Sequence, residues 1–229
     1  MSIADRIQHI QQTIQRTAEK SGRNPRDIQL IAVSKGQSIQ AILEAYETGL
    51  RDFAESYWQE AQNKIQALAH LDITWHFIGP IQSNKARDIA MHFDWVHSVD
   101  RHKIALLLAQ HRPAQRPPLK ICIQVNLDHE PSKSGVSVAE TIALAKQIQS
   151  DSRLNLKGLM SIPEPRYNEN EAYISFCRLA ALLKEVNEQL DSSLDTLSMG
   201  MSDDFEAAIR AGATMLRIGQ GIFGQRIKK

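Results

Sequence analysis

Ile3, Ile7, Ile10 and Ile14 recur at steps of four, three and four residues, the single apolar stripe of a helix that the spacing predicts to end near Ser21-Gly22. Beyond it the pattern changes. Short segments rich in Ile, Val and Leu alternate with longer segments of helical period up to the C-terminus. Strands are predicted near 28–35, 52–56, 73–79, 94–98, 119–127, 155–161, 195–199 and 214–219, with helical stretches between them. Eight such alternations predict an α/β fold, a single (β/α)₈ TIM barrel preceded by an extra N-terminal helix. An open doubly wound sheet ordinarily has fewer strands and a glycine fingerprint after the first, whereas here the first strand runs into Ser34-Lys35-Gly36. The stretch 112–118 reads as a loop between elements, and Pro163 and Pro165 mark another.

Length and composition narrow the picture. The 229 residues match one such barrel, so one domain over 1–229 is expected, and a monomer with it. Hydrophobic residues make up 42% of the chain, enough for a sizeable core, but no unbroken apolar run is long enough to span a bilayer. The opening MSIADRIQHI lacks a signal-peptide core, and Cys122 and Cys177 are far apart, so a soluble protein of the reducing cytoplasm is expected. Lys and Arg number 27 against 26 Asp and Glu, a balance that gives no general attraction to a nucleic acid. The eight histidines and two cysteines show no metal-ligand spacing, and no metal is expected.

Binding groups in barrels gather at the C-terminal ends of the strands. Lys35 is placed there by the first strand. Alternation puts Gln29, Ile31, Val33 and Lys35 on one face, so the amine can point into the mouth, where burial lowers its pKa and lets it attack an aldehyde. A strand-end lysine that bends out to water is the plainer alternative. The loops after the last two strands are the usual phosphate cradle of a barrel, and both carry glycine: Ser198-Met199-Gly200-Met201-Ser202, then Gly219-Gln220-Gly221 with Gly224. Asp203 and Asp204 would repel a phosphate on the helix that follows Ser202, which favours the Ser198 hydroxyl and the amides near Gly219 and Gln220. Those glycines could also simply close tight turns.

Arg217 shares its face with Gly219 and can sit inside the barrel. A guanidinium only donates, so beside a pyridine nitrogen it leaves the ring unprotonated and a weak electron sink. An ion pair with Asp195 or Glu55 is the structural alternative. His76 faces opposite to Trp75 and Phe77, toward the interior, as a core histidine or a neighbour of a ligand ring. Gln124 and Asn126 share a face with Cys122 and are expected to line the pocket. Lys133 lies in the loop after the fifth strand, where a solvated lysine is the expectation.

These residues resemble the pyridoxal phosphate homeostasis (YggS/PROSC) family, related by fold to the N-terminal barrel of alanine racemase. The likeness runs through Ala32-Val33-Ser34-Lys35, the stretch from Trp75 to Lys85, Gln124-Val125-Asn126, Ser132-Lys133-Ser134-Gly135, Gly158-Leu159-Met160, Leu197 to Asp204, Arg217-Ile218-Gly219 and Ile222-Phe223-Gly224. It implies that Lys35 carries pyridoxal 5′-phosphate as an internal aldimine, in fold type III. It also implies that Arg217 faces the ring nitrogen and that Ser198, Gly219 and Gln220 hold the phosphate. Asn84 and Ser56 are expected near the cofactor. The chain departs from the pattern in three places: Gln220 and Gly36 stand where threonine is common, and Ala54-Glu55-Ser56-Tyr57 replaces Gly-Glu-Asn-Tyr. The implied role is a non-catalytic carrier or buffer, with pyridoxal-phosphate-dependent apo-enzymes as candidate recipients. A racemase-like enzyme is the alternative, and it would need a second acid-base group opposite Lys35. In alanine racemases a second, β-rich domain of the partner subunit supplies that group, and with the last predicted strand near 214–219 of 229 residues no such source is expected here.

Overall fold

A computed structural model describes residues 1–128, 134–163 and 168–225. The strands are β1 (Gln29–Val33), β2 (Asp52–Glu55), β3 (Thr74–Phe77), β4 (Trp95–Val99), β5 (Leu119–Asn126), β6 (Val136–Ser137), β7 (Leu154–Met160), β8 (Thr196–Ser198) and β9 (Met215–Ile218). Parallel pairing runs β1 to β5 in order, then β5–β7–β8–β9, and β9 returns to β1. This closes the expected eight-stranded barrel. Each of the eight predicted strands overlaps an observed one. The two-residue β6, which pairs beside the end of β5, has no counterpart in the sequence reading because two residues carry no period.

Helix α1 (Ile3–Lys20) starts at a capping box, in which the Ser2 hydroxyl accepts from the Asp5 amide and the Asp5 carboxylate accepts from the Ser2 amide. Its stripe Ile3, Ile7, Ile10 and Ile14 is buried as predicted. The helices between strands are α2 (Ile39–Glu47), α3 (Trp58–Ala67), α4 (Ala86–His92), α5 (His102–His111), α6 (Val138–Gln149), α7 (Glu169–Leu190) and α8 (Phe205–Arg210), and the single turn α9 (Gln220–Phe223) follows β9. Among the described residues no helix is long and apolar enough to cross a membrane.

Alternation sends the side chains of the strands to two sides of the barrel wall. Leu30, Ala32, Phe53, Trp75 and Phe77 pack outward in the main hydrophobic core with the helices. Ile31, Val33, Ala54, Trp95, Cys122, Met160 and Met215 form a small inner cluster. That inner cluster fills only part of the barrel. Other inward positions hold buried polar side chains, among them His76, His97, Ser198 and Arg217. A barrel interior is ordinarily layered with branched apolar residues, so this polar line requires a partner for each group.

Candidate functional site

The regular pairing of β1 stops at Val33, although the Ser34 amide still donates to the Ala54 carbonyl at 2.9 Å. Lys35 therefore stands just past the strand end, half-buried, at the rim where Gly36 turns the chain with φ +75°. That dihedral lies in the left-handed region and favours glycine. A buried cluster grips the backbone on both sides of the lysine. The Lys64 ammonium donates to the Ser34 carbonyl at 2.7 Å and to the Glu55 carboxylate at 2.8 Å, and it also pairs with Glu60. Glu60 accepts from the Gly36 amide, and Glu55 accepts from the Ser34 hydroxyl at 2.6 Å. Burial pushes the Glu55 carboxyl up even though the Lys64 ammonium works against it.

Lys35 lines a cavity of about 440 Å³ with Val33, Gln37, Gly219, Gln220, Gly224 and Gln225. Volumes of roughly 300–1,000 Å³ are usual for small-molecule sites. The glycine turn after β9 forms one wall. A Cβ on Gly219 would lie 3.3 Å from the Val33 carbonyl oxygen, so glycine lets the two strand ends approach. Beside this turn the Ser202 hydroxyl accepts from the Gly221 amide at 3.0 Å, which leaves its own proton available to an anion. Asp204 turns back to accept from the Met201 amide.

Ser198 lies elsewhere. Its hydroxyl is fully buried inside the barrel, 2.7 Å from His97 Nδ1 and accepting from Arg217 Nη1 at 2.6 Å. Of the two serines in that segment, Ser202 is the one at the glycine turn. Arg217 is buried and also donates to the Ser161 carbonyl at 2.9 Å. Burial draws its pKa down to about 10, which still leaves it charged at neutral pH. Neither suggested ion-pair partner reaches it: Asp195 faces Lys157 at 3.6 Å and Glu55 faces Lys64.

His76 is interior, as alternation predicts, and it is paired, which the sequence did not reveal. Its Nε2 is 3.0 Å from Asp52 Oδ1, its Nδ1 is 2.9 Å from His97 Nε2, and its ring stacks on Trp95. His97 and Asp52 escaped notice in the sequence. A signal was present, since Trp95-Val96-His97 places a second histidine on the inward face of the strand beside His76.

Of the other expected residues, Ser56 is buried just after β2, while Asn84 is exposed on a short 3₁₀ turn (Ser83–Lys85) after β3. Gln220, the first residue of α9, is exposed at the cavity. Gln124 is buried and donates to the Ser134 carbonyl at 2.9 Å, and Asn126 ends β5 half-buried. Ser132, Lys133 and Pro165 lie outside the described residues. Among the described residues no group of three His, Cys, Asp or Glu side chains could hold a metal ion.

Residues 5–227 match the family model for the alanine racemase N-terminal domain. The pyridoxal phosphate homeostasis protein of Pseudomonas aeruginosa is 51% identical over 225 residues, which cover 98% of this chain and 96% of the relative. This chain belongs to the pyridoxal phosphate homeostasis protein family. The Escherichia coli member is 46% identical over 227 residues, 98% of this chain and 97% of that one. Among solved structures, PipY of Synechococcus elongatus with PLP bound is 36% identical with a TM-score of 0.86, and the match covers 97% of this chain and all of PipY. An alanine racemase from Clostridium difficile superposes with a TM-score of 0.74 over 98% of this chain and 59% of its own length. At 12% identity it shares the fold alone.

Proposed function

We propose that this protein binds pyridoxal 5′-phosphate at the Lys35 mouth and serves intracellular homeostasis of that cofactor as a carrier or buffer, without efficient turnover. The family supports the role: its named members are homeostasis proteins, and PipY has been solved with PLP bound. The observation that carries the reading is the donor set at the mouth. Lys35, the Ser202 hydroxyl, the glycine turn after β9 and, behind it on that strand, a buried Arg217 that pairs with neither Asp195 nor Glu55 suit a ligand with an anion, an aldehyde and a ring acceptor.

When bound, pyridoxal phosphate would supply an aldehyde that condenses with a primary amine with loss of water, and Lys35 would supply the amine. Ser202 and the backbone of Gly219 and Gln220 take the phosphate, while Ser198 acts indirectly by holding Arg217. Arg217 donates to the ring nitrogen and keeps its own proton, which restrains the ring as an electron sink and fits storage better than catalysis. Ser56 and Asn84 contribute at the rim. The chain over 1–229 acts as one cofactor-binding unit, as a monomer in the cytoplasm, and passes its load to apo-enzymes.

The test is direct. Added pyridoxal phosphate gives a visible absorbance band that Lys35→Ala abolishes, and borohydride fixation followed by peptide mapping finds the label on Lys35. Amino-acid racemisation by the purified protein, followed by chiral chromatography, would contradict the carrier role. So would transfer to an apo-enzyme no faster than from free cofactor at equal concentration.

A further inference from the structure

Five side chains cross the barrel interior in single file. Arg217 Nη1 donates to Ser198 Oγ at 2.6 Å, Ser198 Oγ lies 2.7 Å from His97 Nδ1, and His97 Nε2 lies 2.9 Å from His76 Nδ1. His76 Nε2 then meets Asp52 Oδ1 at 3.0 Å. The first four residues are buried. Asp52, the first residue of β2, stands at the opposite, N-terminal end of the barrel, and its side chain is 19% exposed.

The two ends fix where every proton lies, because a guanidinium can only donate and a carboxylate can only accept. Ser198 accepts from Arg217 and so gives its own hydrogen to His97 Nδ1. His97 then carries its proton on Nε2 and donates to His76 Nδ1, and His76 donates from Nε2 to Asp52. The reverse order would set a bare His76 nitrogen against the carboxylate and leave the serine hydrogen unplaced. A second proton on His97 would crowd the serine hydrogen, and one on His76 would crowd the His97 hydrogen unless His97 turned to its Nδ1–H form, which again leaves the serine hydrogen unplaced. All four bonds therefore run one way, from the buried cation to the partly exposed anion, through two neutral imidazoles. Asp94 and Lys120 face His76 with opposite signs, so neither overrides this order.

We propose that Asp52, His76 and His97 are positioning residues for Arg217: through Ser198 they fix the guanidinium in place, so that the cofactor's ring nitrogen meets a fixed donor. The proposal rests on the reading that pyridoxal phosphate occupies the Lys35 mouth, but its first test does not.

That test is ¹⁵N NMR of the histidines in the cofactor-free protein. Both His76 and His97 are expected as neutral Nε2–H tautomers at neutral pH, and an Nδ1–H tautomer or an imidazolium at either position overturns the chain. The second test uses ring-¹⁵N pyridoxal phosphate with Asp52→Asn, Ser198→Ala and the conservative Ser198→Thr. Ser198→Ala should raise the dissociation constant about tenfold and Asp52→Asn about threefold, the loss of charge-assisted hydrogen bonding. Both should move the ring-nitrogen resonance, and Ser198→Thr should restore both readings. An unmoved resonance and unchanged affinity in Asp52→Asn overturn the positioning role; if that variant does not fold, the Ser198 pair decides it by the same readings. Wild-type protein that takes up no pyridoxal phosphate would sink the cofactor reading, while the histidine spectrum would still decide the chain.

Discussion

The Lys64 ammonium lies 2.8 Å from the Glu55 carboxylate, and both side chains are buried beneath the backbone that carries Lys35. Removing Lys64 leaves the Glu55 charge buried without its counter-ion, a loss of about 3–5 kcal/mol. Lys64→Met should therefore destabilise the fold by about 3 kcal/mol. Glu55→Gln in the same background should recover part of that loss, because the amide needs no counter-charge. Urea denaturation of the single and double variants measures both. Full additivity of the two changes would mean that the pair is not coupled.

His76 and His97 should make the protein less stable in mild acid. Burial holds both pKa values below 6.5, the effect on His97 being strong, although Asp52 works against it at His76. The unfolded chain therefore takes up protons near pH 6.5 that the folded chain refuses. Stability is complete above that value and falls as the pH drops below it, by up to about 1.4 kcal/mol per pH unit for each histidine. Asp52 acts lower down, since its depressed pKa adds stability above 3.8 that is lost only in stronger acid. Denaturation midpoints across this range give the slope, and His97→Gln should reduce it by about half. A flat profile would show that the imidazoles are not buried neutral.

Gly36 departs from the family pattern for a reason visible in its backbone. With φ +75°, a β-branched residue there carries a left-handed conformation at a loss of about 1–2 kcal/mol. Gly36→Thr should lower the thermal midpoint accordingly. It should also disturb the hydrogen bond from the Gly36 amide to Glu60, and with it the setting of Lys35. Equal stability of the two proteins would mean that the turn rebuilds without strain.

How far the sequence led differs between the frame and the interior. The strands were legible because their apolar residues alternate against helices of another period, and β1 shows this at single residues: Ile31 and Val33 are inside, Leu30 and Ala32 outside. Arg217 and Gly219 were legible from the same alternation. For His97 alternation shows the inward face but not the pairing, because its partners His76 and Ser198 are 21 and 101 residues away. Ser198 and Ser202 are alike in type and loop, and in the sequence only the charge of Asp203 and Asp204 separates them, in favour of Ser198 for the phosphate. Only the closed barrel turns one hydroxyl to Arg217 and the other to the Gly221 amide.

That distinction between serines yields the sharpest test of the mouth. Ser202 has its oxygen held by the Gly221 amide, so its proton is the one it can offer an anion, and Ser202→Ala should weaken pyridoxal phosphate binding by about 1.5–3 kcal/mol. Gln220 is exposed, and if its contribution is the backbone amide alone, Gln220→Ala should change affinity by less than about 1 kcal/mol. Absorbance titration of both variants with pyridoxal phosphate and with pyridoxal separates the phosphate contribution from that of the ring. Ser202→Ala should lose affinity for the phosphorylated form only. If Gln220→Ala proved the more damaging change, its side chain would be gripping the phosphate in place of the threonine common at that position.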